Sequence, residues 1–233
     1  MPNLKSVYLL AGGRPKAGQS PSGLIHTVFT ESGVKSPVVG YVGTANGDDP
    51  GFFQRMAGFI KYAGANSVNH ALISPDKADL NKARKILEVA DVVYISGGDV
   101  EVGMRSLVDK GMVDFIVSLY RQGKPFFGLS AGSIMLAQEW VRWRDLDDDS
   151  NGEIFPCLGI APVICDTHGE DDGWEELQAL LQIEKDGTTG FGIVSGTAIK
   201  VNPDGVVTAL GGAVNRYARH KGKVVKKTDL LPD

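Results

Sequence analysis

Short apolar runs rich in Val, Ile and Tyr alternate along the chain with stretches whose apolar residues recur at helical spacing. Residues 6–11 (SVYLLA), 37–43, 70–73, 91–95 (DVVYI) and 126–129 read as strands. Between them, Phe52, Phe53, Met56, Phe59 and Ile60 mark a helix from about Pro50. Further helices are predicted over 78–90, 101–110 and 112–122, the last two broken at Gly111. A loop rich in Gly, Pro and Ser fills 12–23. The strands are apolar on both faces, as in a parallel sheet covered by helices on either side. With right-handed crossovers this gives a three-layer α/β/α sandwich around a mostly parallel sheet. After Trp140 the pattern changes. Residues 143–152 are polar and acidic, 160–165 form a strand and 174–181 a helix. Short strands follow at 191–194, 197–201 and 206–209, with an edge near 223–226. There is no repeat and no linker, so residues 1–233 read as one domain with a β-rich C-terminal third.

Composition narrows the function classes. The 233 residues are 42% hydrophobic and 22% charged, with a formal net charge of −4, which disfavours nucleic acid and anionic membranes as partners. The 30 glycines suit a fold with many tight strand-to-helix turns. The opening residues MPNLKSVYLLAGG lack the apolar stretch and cleavage site of a signal peptide, and no run of about 18 apolar residues spans a membrane. Cys157 and Cys165 are too few for a disulfide framework or a cysteine metal site, and a reducing cytoplasm is the expected compartment.

The chemistry concentrates in KPFFGLSAGS, residues 124–133. Gly128 and Gly132 bracket Ser130 where a strand must reverse into a helix, the sequence form of a nucleophile elbow. A serine nucleophile needs a base and dipoles for the oxyanion. Among the histidines, His26, His70 and His220 fit structural or solvated roles. His168, in CDTHGEDDGWEEL, follows a strand end on the sheet edge where open α/β folds bind ligands. The Ala131 amide at the start of a helix, and an amide of Gly97-Gly98-Asp99 at a neighbouring strand end, are the candidate oxyanion donors.

ISGGD, GLSAGS and CDTH, in this order and spacing, resemble the serine peptidase family of aspartyl dipeptidase (dipeptidase E) and cyanophycinase. The resemblance runs from the first strand to about residue 201. It implies a flavodoxin-like sandwich similar to class I glutamine amidotransferases, with serine in place of their cysteine. It further implies Ser130 as nucleophile, His168 as general base and then acid, Gly98 and Ala131 as oxyanion donors, and no cofactor. The substrate expected is a small peptide. An α/β-hydrolase shares the elbow but carries its histidine nearer the chain end and has an HGGG-type loop that is missing here. A glutaminase of the amidotransferase kind is disfavoured by the serine and by the absence of a partner domain. A homodimer is left open.

Two departures from the family pattern bear on function. The family orients its histidine with a glutamate in a segment resembling GI-x-E-G-T-A, and here residues 192–198 read GIVSGTA, with Ser195 in the glutamate's place. A hydroxyl can hold a ring N–H but cannot stabilise imidazolium by charge, and neutralising the acid of a Ser-His-Asp triad costs about 10⁴ in kcat. Ser195 is the expected neighbour of His168, with Asp145 as the alternative acid; Asp166, two residues before His168, shares its face if the strand persists. An impaired relative that binds a small molecule or peptide is the competing reading. The second departure follows the histidine, where cyanophycinase-like members are arginine-rich. Here Glu170, Asp171, Asp172, Trp174, Glu175 and Glu176 stand instead. Glu175 and Glu176 fit an acidic helix start, while Asp171 or Asp172 would face the site beside Asp99, with Trp174 free to stack on a cation. Such a pocket repels an aspartyl side chain and favours a cation or a free amino terminus. Residues 147–152 match the front half of an EF-hand calcium loop, but Leu158 occupies the position of the closing glutamate, so a solvated acidic turn is expected and no metal site.

Overall fold

The computed structural model describes residues 4–13, 21–143 and 152–232. In chain order the strands are β1 (Val7–Leu10), β2 (Val38–Val42), β3 (Ser67–His70), β4 (Val92–Ile95), β5 (Phe126–Leu129), β6 (Glu139–Trp143), β7 (Gly152–Pro156), β8 (Ile164–Thr167), β9 (Thr189–Ile193), β10 (Ala198–Val201), β11 (Val207–Leu210), β12 (Asn215–His220) and β13 (Lys223–Lys226). The helices are α1 (Pro21–Ser32), α2 (Pro50–Tyr62), α3 (Leu80–Val89), α4 (Val100–Asp109), α5 (Val113–Arg121), α6 (Ala131–Leu136) and α7 (Glu175–Ile183).

The main sheet runs β11-β10-β1-β5-β4-β2-β3. Strands β1 to β5 pair in parallel, and β10 is antiparallel to both β1 and β11. Alternation along each strand divides the core into two apolar layers. Leu9, Val93, Ile95 and Phe126 enter the layer shared with α4, α5 and α6. Tyr8, Leu10, Tyr94 and Phe127 enter the layer shared with α1 and α2. The expected sandwich with a mostly parallel sheet is therefore the observed fold.

A second sheet, β13-β12-β9-β8, carries α7 on one face, where Trp174, Leu177, Leu180 and Leu181 form a smaller core with Tyr217. Strands β6 and β7 pair with each other. Among the described residues no helix is long and apolar enough to cross a membrane.

Several boundaries differ from the sequence reading, each for a local reason. The third strand lies at 67–70 instead of 70–73, because the amides of Ile73 and Ser74 bond the Asp48 carboxylate (2.9 and 2.7 Å) rather than a strand. The loop expected through residue 23 gives way to α1 at Pro21, a position where a helix needs no N–H. Strand β8 covers 164–167, past the expected 160–165, and this extension carries the chain directly to His168. Strand β12 was not foreseen; its sequence NRYARH is too polar to announce a strand.

Asp48 fixes the loop after β2. It accepts from Gly43 N (3.2 Å) and His70 Nε2 (2.9 Å) as well as from the amides of 73 and 74. Burial alone would push its carboxyl up, but the His70 bond and the two amides outweigh burial and hold it below the ordinary range. The loop thus held presents Ala45 O, which accepts from Asp99 N at 2.7 Å and sets the turn after β4.

Candidate active site

The strand-to-helix reversal at β5 leaves almost no room. A Cβ on Gly128 would lie 2.5 Å from Gly132 O, and one on Gly132 would lie 2.1 Å from Ile95 O. Ser130 itself sits at φ 54°, ψ −127°, a conformation that side chains other than glycine rarely adopt. Its amide donates to Leu10 O (2.9 Å), and Ser133 Oγ donates to the same carbonyl (2.8 Å), so the elbow is pinned to the neighbouring strand β1.

Ser130 Oγ lies 2.7 Å from His168 Nε2. His168 follows β8 at φ 48°, and its amide donates to Ile193 O on β9 (2.9 Å). The two sheets thus meet at this pair, one supplying the hydroxyl and the other the imidazole. The same cleft is bordered by Gly98 and Ala131. Gly98 is at φ 148°, and a Cβ there would stand 2.0 Å from Ala45 O, so only glycine fits. Among the described residues no backbone hydrogen bond takes up the Gly98 or Ala131 N–H.

The cleft encloses about 230 Å³, and its wall is acidic: Asp99, Asp166, Asp172 and Glu176, with Trp140 as the aromatic member. Asp99 Oδ1 accepts from Val102 N (2.8 Å) at the start of α4, and Asp172 Oδ1 accepts from Trp174 N (2.8 Å) before α7. Trp140 Nε1 donates to Glu176 Oε2 (2.7 Å). Asp166 is 6% exposed and bonds the amide of Thr167 (2.6 Å). Its carboxyl is pushed up to about 7, first by burial and then by the charges of Glu176 and Asp172, against the opposing pull of the Thr167 and Leu177 amides. Burial also raises Glu176, although the Trp140 bond acts against it.

Sequence expectations meet this geometry unevenly. Ser130, His168, Gly98, Ala131, Asp99 and Asp172 all border one cleft. Trp174 does not: it is 2% exposed, and its indole packs where a Cβ on Gly192 would lie 2.6 Å away. Its Nε1 donates to Asn215 Oδ1 (2.9 Å), so it ties β9 to β12 and cannot stack on a ligand. Glu176, read from sequence as part of a solvated helix start, faces the cleft, whereas Asp171 is exposed outside it. Among the described residues no hydrogen bond joins Ser195 Oγ to His168; instead the Ser195 amide donates to Glu170 Oε1 (3.1 Å). Glu170 Oε2 is buried without a partner among the described residues. Asp145 and residues 147–151 of the acidic loop lie outside the described residues. Trp140 and Glu176 are the cleft residues that sequence missed. No local signal announced Glu176, because Asp172 precedes α7 and helical spacing does not relate the two.

An α/β sandwich with a serine on a strand-to-helix elbow, and a histidine reaching it from a second strand end, defines a class of protein. The chain belongs to peptidase family S51, whose model matches residues 8–209. It is similar in structure to a peptidase from an acI-B1 Actinobacterium, with a TM-score of 0.75 at 17% identity over 99% of this chain and 95% of that one. A putative peptidase E protein from Listeria monocytogenes EGD-e is similar with a TM-score of 0.63 at 15% identity, over 88% of this chain and 98% of that one. Comparison with curated proteins finds no match.

Proposed function

We propose that this member of the peptidase family is a serine hydrolase that cleaves a short peptide or isopeptide amide through an acyl-enzyme. The observation that carries the reading is the 2.7 Å contact of Ser130 Oγ with His168 Nε2 at an elbow bordered by two backbone N–H groups that have no hydrogen-bond partner among the described residues. With Nδ1 protonated, the Ser130 hydroxyl donates to Nε2, the tautomer a general base requires. Oγ attacks the scissile carbonyl as its proton passes to Nε2, and the negative oxygen is held by the Gly98 and Ala131 amides. The C–N bond then breaks, the leaving amine takes the proton from His168, and an ester to Ser130 remains. Water attacks that ester with His168 again as base, releasing the acid and restoring the hydroxyl. The small cleft, about 230 Å³, favours substrates of a few residues.

A second reading, a binding protein derived from a peptidase, is favoured by one observation. No described side chain, Ser195 included, hydrogen-bonds the second ring nitrogen of His168. One experiment separates the two. A small fluorophosphonate, followed by intact-mass detection, is expected to add once to the wild type and not to Ser130→Ala or His168→Ala. A folded wild-type protein that takes no label would overturn the hydrolase reading in favour of the binding one.

A further inference from the structure

Among the described residues that border the cleft, its four acids have no cation to face. Asp166 is more than nine-tenths buried and faces the space beside Ser130, and its hydrogen bonds go to backbone amides. The charges acting on Asp166 come from Glu176 and Asp172, and those acting on Glu176 come from Asp172, Asp99 and Glu175. All are negative. Among the described residues that border the cleft there is neither lysine nor arginine, and His168 is engaged with Ser130. A buried carboxyl without an opposite charge is held towards its neutral form, and a cation arriving from outside would favour the ionised form. A ligand with a positive group would thus complete the arrangement, and the serine it must reach fixes its position independently.

We propose that this acidic wall is a cation-binding subsite, and that the substrate presents an ammonium or guanidinium group next to the scissile carbonyl. The proposal rests on the hydrolase reading for the placement of the carbonyl. Asp166 and Glu176 form the inner part of the subsite, from the end of β8 and the first turn of α7. Asp172 and Asp99, both exposed, form its rim. Trp140 covers one side and directs Glu176 through its indole N–H. An aspartyl or glutamyl side chain entering the same space would meet the rim carboxylates Asp99 and Asp172 and, beyond them, the carboxyls of Asp166 and Glu176, with no positive group among the described lining residues. The positive group can come from a lysyl or arginyl side chain or from the free α-amine of a dipeptide, and the two sources need separate arms in the test.

Binding is measured by calorimetry on Ser130→Ala, which cannot turn over, with Lys-Leu, Ala-Leu, Asp-Leu and N-acetyl-Lys-Leu as probes. Lys-Leu is expected to bind at least about tenfold more tightly than Asp-Leu, the scale of a charge-assisted hydrogen bond. Adding Asp166→Asn or Glu176→Gln should remove most of that preference. Retention of affinity in N-acetyl-Lys-Leu assigns the subsite to the side chain. Its loss, with Ala-Leu still bound, assigns it to the α-amine. Equal binding of Lys-Leu, Asp-Leu and N-acetyl-Lys-Leu, or an affinity for Lys-Leu that survives both substitutions, overturns the proposal. Fluorophosphonate labelling of the wild type reports separately on the hydrolase reading, so failure of the nucleophile and failure of the subsite give different results.

Discussion

Asp166 shows how one residue can be tuned by its place in the fold. The strand β8 carries it inward two positions before His168, where burial and the neighbouring acids raise its carboxyl to about 7. In the unfolded chain it titrates near the usual value of about 4. Between those values the native state keeps a proton that the unfolded state releases, so its contribution to stability falls as pH rises through this window. Above about 7 the loss is complete and the difference becomes constant. Asp166→Asn should therefore be more stable than wild type at pH 8, while at pH 4 the two should melt alike. Thermal melting at several pH values between these limits checks this; a melting difference that does not grow with pH would place the residue in ordinary solvent. At the same scale, sequence could name Ser130 and His168 because the glycine bracket and the strand end are local signals. It could not place Trp174. A tryptophan in an acidic segment reads as exposed, and the packing of its ring on Gly192 depends on a strand pairing twenty residues away in the fold, not on its neighbours.

At the scale of elements, the elbow is a steric solution shared by three strands. Its helix starts directly beneath the carbonyl of Ile95, the last residue of β4, and nothing larger than hydrogen fits at Gly132. Gly132→Ala should cost about 1–3 kcal/mol or more, as overpacking against rigid backbone does. It should also abolish fluorophosphonate labelling by shifting Ser130. Gly58, exposed in α2 with open space around its Cβ position, supplies the contrast. Gly58→Ala should stabilise by about 0.5–1 kcal/mol, the difference in helix propensity. Chemical denaturation of both variants measures the pair, and similar effects at the two positions would refute the steric account. The parallel sheet was legible in sequence because its strands are continuous apolar runs. The second sheet was legible only in part: strands were expected at 160–165, 191–194 and 223–226, but β12 is too polar to announce itself and β9 is interrupted by Gly190 and Gly192, which accept the side chains of Leu177 and Trp174. That sheet delivers His168 from the end of a strand the sequence announced, and what periodicity concealed was the pairing of that strand with β9.

At the scale of the whole molecule, the negative charge has a direction. The formal net charge of −4 is modest, but four carboxyl groups gather at one cleft without a compensating cation among the described residues that border it. A low-dielectric cleft lined by one sign of charge raises the local concentration of oppositely charged solutes and speeds their capture. If the proposed subsite acts in this way, kcat/KM for Lys-Leu should fall as sodium chloride is raised from 20 to about 500 mM, where the Debye length shrinks from about 20 Å to under 5 Å. An uncharged control, N-acetyl-Ala-Leu amide, should change little over the same range. The rim residues Asp99 and Asp172 should carry most of the salt dependence, since exposed charges are screened readily and Asp166, buried beside Ser130, is not. Asp172→Asn should therefore flatten the salt response while leaving tight binding at low salt largely in place, and Asp166→Asn should weaken binding at every salt concentration. A salt response that is equal for the charged and uncharged substrates would mean that the field of the cleft plays no part in capture, and that the acids act, if at all, only after the substrate has arrived.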